Sequence, residues 1–131
     1  MGEREEIDSI TQTIIGTAIE IHKTLGPGLL ESAYEACLVY ELGELGYKVD
    51  KQKPLPLIYK SVVLDCAHRL DLLVEDKVVV EIKAVDLVMP IHQAQVLSYL
   101  KMSGYKVGLL INFNVKLLKT GIQRIVNGTL I

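Results

Sequence analysis

The sequence has no tryptophan, one phenylalanine and two cysteines among its 131 residues, and only four prolines. Cys37 and Cys66 form no CxxC pair, which excludes a disulfide framework and a zinc-thiolate cluster. Both read as buried free thiols in a reducing compartment, so the expected localisation is cytoplasmic. Long apolar runs are missing too. The longest, Ala36-Cys37-Leu38-Val39-Tyr40, falls far short of the ~18 residues needed to span a bilayer. The opening Met1-Gly2-Glu3-Arg4-Glu5-Glu6 is acidic where a secretory leader is basic, and Glu6 stands where a myristoylation signal requires Ser or Thr. A basic excess is also lacking: the formal net charge is −2 and the pI about 5.9. That excludes a general nucleic-acid coat protein, but not a nuclease whose clustered carboxylates mask a modest basic rim.

What is present is enough apolar material for one core. Half of the residues are hydrophobic and 23% are charged, so residues 1–131 read as a single domain of ordinary size. Ile7, Ile10, Ile14, Ala18, Ile21 and Leu25 recur at helical spacing, which predicts a helix over about 5–25 closed by Gly26-Pro27-Gly28. A second helix is expected over about 29–45. The period then changes. Tyr47–Asp50 and Leu55–Tyr59 read as strand pieces cut by prolines, at an edge or a bulge, with Val62–Leu64 continuing them after a turn at Lys60-Ser61. Arg69–Val74 and Val78–Val85 read as a hairpin, a third helix is expected from about Met89 or Pro90 to Ser103, and Tyr105–Phe113 reads as another strand. Leu117–Ile125 is left open between strand and short helix. The order specifies an α/β sandwich on a mixed sheet.

Three charges interrupt the strand pattern. Period two places Glu81 and Lys83 on one face of their strand and Val80, Ile82 and Ala84 on the other, while Asp71 interrupts the partner strand. A lone buried carboxylate costs several kcal/mol unless it is paired or bound to a cation. A salt-bridge set centred on Lys83 is one solution. Two acids against one lysine leave a negative charge unmatched, which tilts the balance towards a divalent metal. Glu31 shares a helix face with Tyr34, Leu38, Leu42 and Leu45, so it is either a third inward acid or a carboxylate placed by the helix dipole. His92, Gln95 and Tyr99 form a polar stripe on the third helix, readable as a solvated face or as the edge of the same site. No G-x-S-x-G elbow, P-loop or G-x-G-x-x-G is present.

Asp71, nine residues, then Glu81-Ile82-Lys83 resembles the D…E-x-K pattern of the PD-(D/E)XK nuclease superfamily, with Leu70 in place of the proline. The predicted element order looks like that superfamily's αβββαβ core, a restriction-endonuclease-like fold over about 29–113 preceded by an extra helix. Gln95-Val96-Leu97-Ser98-Tyr99 resembles the Q-x-x-x-Y motif of its RecB-like branch. Gly28-Leu29-Leu30-Glu31-Ser32-Ala33-Tyr34 further resembles the signature of the small GxxExxY proteins. The resemblance implies a nuclease that hydrolyses phosphodiester bonds with Mg²⁺ or Mn²⁺. Asp71, Glu81 and the Ile82 carbonyl would supply metal ligands, and Glu31 would bind directly or through water. Lys83 would hold the attacking hydroxide or the phosphate, and Gln95 and Tyr99 would orient Lys83 or touch the backbone of the nucleic acid.

DNA is the expected partner ahead of RNA, through phosphate and shape contacts. Lys48, Lys51, Lys53 and Lys60 form either a basic rim or a solvated edge. The rival to catalysis is a silent module of the same fold that binds nucleic acid or a protein partner. Ile7, Ile10, Ile14 and Ile21 are expected to cover the sheet, with a homodimer interface as the other use for them.

Overall fold

A computed structural model describes residues 2–65 and 68–130; Cys66, one of the two thiols expected to be buried, lies outside them. Helix α1 (Glu3–Leu25) begins with Glu3, Glu5 and Glu6 and ends with His22 and Lys23, a charge order that complements its dipole. Gly26 closes it, and Gly28 takes φ +98°, a conformation that favours glycine. Helix α2 (Glu31–Glu44) then returns along α1. Its inward face is Tyr34, Leu38 and Leu42; Leu45, expected on that face, follows the last helical turn and is exposed.

Strands β1 (Val49–Pro54), β4 (Arg69–Val74), β5 (Val78–Lys83), β6 (Val107–Asn112) and β7 (Ile122–Val126) form one mixed sheet in the order β1-β4-β5-β6-β7. The β5–β6 pair is parallel and the others are antiparallel. Both parallel strands are buried almost throughout, which is why they read as continuous apolar runs. Helix α3 (Pro90–Ser103) makes the crossover between them. It packs so closely on β6 that a Cβ at Gly108 would lie 2.8 Å from Val96 Cγ1. The open segment after β6 resolves into both alternatives, a 3-10 turn at Leu118–Gly121 followed by β7.

Strand alternation sorts the core into two layers. Val78, Val80 and Ile82 join Ile7, Ile14, Tyr34 and Leu38 on the α1/α2 side. Val79 joins Leu73, Tyr99 and Leu100 on the α3 side. The isoleucines of α1 are therefore spent on the core and not offered to a second copy. Cys37 is half-buried, not buried as expected, and opens on a largely apolar groove of about 530 Å³ between α1 and α2.

The proline-interrupted segment is edge structure, as expected, but it divides. β1 is the sheet's edge strand, and Gln52 (φ +50°) drops out of its ladder with β4. β2 (Leu57–Tyr59) and β3 (Val62–Leu64) leave the main sheet and pair only with each other. Their two-residue turn, Lys60 and Ser61, has φ of +48° and +67°, the positive values that suit the twist of a tight hairpin.

Candidate metal centre

The carboxyl ends of the parallel strands β5 and β6 reach the same edge of the sheet, where crevices for ligands form in open α/β sheets. The starts of α2 and α3 and the beginning of β4 lie there too. The β4–β5 ladder stops at Leu72 and Val80. Beyond it two strand amides would face each other without partners, and the carboxylates fill the gap. The Ile82 N–H donates to Asp71 Oδ2 at 2.8 Å, and the Asp71 N–H donates to Glu81 Oε1 at 3.1 Å. Alternation breaks at the same place, because Leu70 and Leu73 both join the α3-side core while Leu72 faces the other way.

Glu81 is 4% exposed. Burial, then the charge of Asp71, push its carboxyl up to about 8; the Asp71 amide and the Lys83 charge oppose the rise. The side chain of Asp71 adds to the rise by favouring the protonated form of Glu81. Lys83 is half-buried and takes part in none of the ion pairs among the described residues, so the salt-bridge alternative is not the one adopted.

Glu31 is exposed at the first residue of α2, yet its Oε2 accepts the Ala84 N–H at 3.2 Å. The contact ties the start of α2 to the residue after Lys83. Glu31, Asp71 and Ala84 line one groove of about 610 Å³ with Glu35 and Gln52. Tyr34 holds this corner in place. Its ring stacks on Phe113 at 4.3 Å, its hydroxyl donates to the Gly26 carbonyl at 2.6 Å, and the Leu29 N–H donates to that hydroxyl at 3.2 Å.

Of the predicted residues, the structure gathers Asp71, Glu81, Ile82, Lys83 and Glu31 at this edge. Tyr99 lies in the α3-side core against Leu70, Leu73 and Val79, its ring 5.7 Å from that of His68. Gln95 is half-buried one turn nearer the site edge, and no hydrogen bond joins it to Lys83, Asp71 or Glu81 among the described residues. His92 is a cap: its Nδ1 accepts the Met89 N–H at 3.0 Å.

Two residues escaped the sequence reading. Asn112 is 2% exposed at the end of β6. Its Oδ1 accepts the Val85 N–H at 3.1 Å and its Nδ2 donates to the Val85 carbonyl at 2.9 Å, clamping the chain just past Lys83. The available signal was a polar residue inside an apolar strand. Gln52 donates through Nε2 to both Glu35 oxygens at 3.1 Å and floors the groove; no local pattern announces it.

Among the described residues no group of three or more His, Cys, Asp or Glu side chains is arranged to hold a metal ion. The donor set nonetheless fits a hard cation. Two adjacent carboxyls, one destabilised as a charge, suit an ion that takes one or two carboxylates and keeps its waters. Residues 8–125 match the PD-(D/E)XK nuclease superfamily.

The chain belongs to that superfamily. No curated protein and no solved structure matches it. PD-(D/E)XK nucleases generally work with divalent metal ions, and the five-stranded mixed sheet flanked by helices agrees with their fold. Its αβββαβ core runs here through α2, β1, β4, β5, α3 and β6. No helix among the described residues is long and apolar enough to cross a membrane.

Proposed function

We propose that this single-domain chain is an active nuclease that hydrolyses phosphodiester bonds of DNA, with Mg²⁺ or Mn²⁺ held by Asp71, Glu81, the Ile82 carbonyl and Glu31. Membership of the GxxExxY group is part of the same reading. The observation that carries it is the Asp71–Glu81 pair. A protein with no use for a cation would gain by replacing a carboxyl whose ionisation is opposed by burial and by its neighbour. When bound, such an ion supplies charge against the phosphate oxygens and acidity to the attacking water.

The chain's own groups do the rest. Lys83 projects its ammonium from the same strand face as Glu81 and offsets charge on the scissile phosphate. Glu31 fixes the backbone at Ala84 and so the direction from which Lys83 enters. Gln95 and Tyr99, on the helix over that face, set the position of the Lys83 stem.

The test is cleavage of labelled DNA and RNA with Mg²⁺, Mn²⁺ or EDTA, beside Lys83→Ala and Glu81→Ala proteins checked for folding by circular dichroism. Metal-dependent cleavage that falls by at least about 10²-fold in both variants supports the reading. Folded wild-type protein that cuts no faster than the variants overturns it in favour of a binding module.

A further inference from the structure

The β2–β3 ribbon has no use in the fold as described. All six strand residues are apolar, and their pairs are Leu57 with Leu64, Ile58 with Val63 and Tyr59 with Val62. Ile58 and Val63 are 64% and 67% exposed, and Tyr59 and Val62 are exposed on the opposite face. A two-stranded ribbon is marginal in water by itself, and an exposed apolar patch marks an interaction surface. Its position is informative. The chain leaves the sheet at Pro54 and re-enters at Arg69, two residues before Asp71, so the ribbon rises from the edge that carries the carboxyls.

Charge identifies the occupant. The ion pairs Lys48–Asp76, Lys77–Glu6, Lys106–Glu3 and Arg124–Asp8 lie in the half of the molecule that holds the start of α1 and the β4–β5 turn. None of the ion pairs among the described residues uses Lys53, Lys60, Arg69 or Lys83, the cations that border the ribbon and the site. Lys60 stands 5.4 Å over the Tyr59 ring. An apolar platform with one aromatic ring, bordered by cations outside the ion pairs of the described residues (Arg69 Nη1 donates to the Gln52 carbonyl at 3.4 Å), complements a polyanion whose bases are unstacked. A duplex hides its base faces, whereas a single strand presents them.

We propose that the face of the β2–β3 ribbon that carries Tyr59 and Val62 is the platform on which single-stranded nucleic acid lays its bases, feeding its backbone to the Asp71–Glu81 edge. This rests on the nuclease reading above. The rival occupant is a second copy of the chain, ribbon against ribbon.

Binding is measured by anisotropy with labelled poly-dT and a blunt duplex in EDTA, for wild type, Tyr59→Ala and the double variant Tyr59→Ala/Val62→Ser. Tyr40→Ala, an exposed ring on α2, is the control. Tighter binding of poly-dT than of duplex, weakened about tenfold by Tyr59→Ala and not by Tyr40→Ala, is the expected result. Equal affinity for both forms, or ribbon variants that bind like wild type, overturns the proposal. So does a dimer that sediments as a monomer once Tyr59 and Val62 are replaced while poly-dT binding is unchanged. Cleavage separates this failure from that of the parent reading. If wild type and the ribbon variants cut with the same KM, the platform falls and the nuclease stands; if wild type cuts no substrate, the nuclease reading falls.

Discussion

Glu81 carries a pH dependence whose sign is set by its surroundings. Its carboxyl is raised from 4.5 to about 8 in the folded chain. Between those values the folded state holds a proton that the unfolded state has released, so metal-free stability falls as pH rises through the window. Below it the contribution is fully present; above it the ionised, buried carboxylate is at its full cost. Glu81→Gln removes that cost and still offers an oxygen to the Asp71 N–H. In EDTA it is expected to be clearly more stable than wild type at pH 8.5 and to lose that advantage near pH 5, read by urea unfolding at both values. Asn112→Ala strips two part-buried backbone groups of Val85 of their partners and should lower stability by about 1–2 kcal/mol. It should also weaken Mn²⁺ binding, measured by calorimetry, since the chain beyond Lys83 is no longer clamped. At this scale the sequence was legible where a charge broke a period, as at Asp71, Glu81 and Lys83. It was silent where a neutral amide did the positioning, as at Asn112 and Gln52. Lys48 shows the limit of clustering by sequence. It stands near Lys51 in the chain but pairs with Asp76 at the opposite end of the sheet, outside the basic rim that was one of the two readings of these lysines.

Among the elements, three were readable to within a residue or two: α1 by its helical period, α3 by Pro90 at its start and Gly104 at its end, and β5 as a continuous apolar run. The segment from Tyr47 to Leu64 was harder because two prolines and a positive φ at Gln52 break it into pieces too short to show a period. Which pieces pair is decided by tertiary contacts that the residues themselves do not encode locally. The turn between α1 and α2 shows how one element serves the site. Gly28 at φ +98° lets the chain reverse so that Glu31 meets Ala84 and Tyr34 meets Phe113. Gly28→Ala is therefore expected to cost about 1–3 kcal/mol, seen as a lower denaturation midpoint, and to reduce any metal-dependent cleavage. Gly108→Ala drives a methyl against Val96 and should cost about as much through overpacking, with no separate effect on the metal site.

For the molecule as a whole, four of the five ion pairs among the described residues lie at the end of the sheet away from the carboxyls, the exception being Lys23–Glu20 on α1. The paired end is built of solvent-exposed contacts, each worth about 0–1 kcal/mol and screened by salt. Raising the salt concentration from low to molar should therefore shift the thermal midpoint little, whereas affinity for nucleic acid at the unpaired end should fall steeply as counterions compete. Parallel melting and binding titrations check both. Millimolar Mn²⁺ should raise the melting temperature of wild type, because a ligand of the folded state stabilises it, and should do so less for Glu81→Gln.

The clamp at Asn112 has a bearing on when the chain becomes competent. Glu31, Asp71, Glu81 and Lys83 all leave the ribosome before β6 does, but β5 lacks its parallel neighbour and Val85 its anchor until Asn112 and Phe113 have followed. A nascent chain halted within α3 would carry the whole acidic set and no site. Synthesis order thus delays assembly of the candidate metal centre until the last parallel strand is in place.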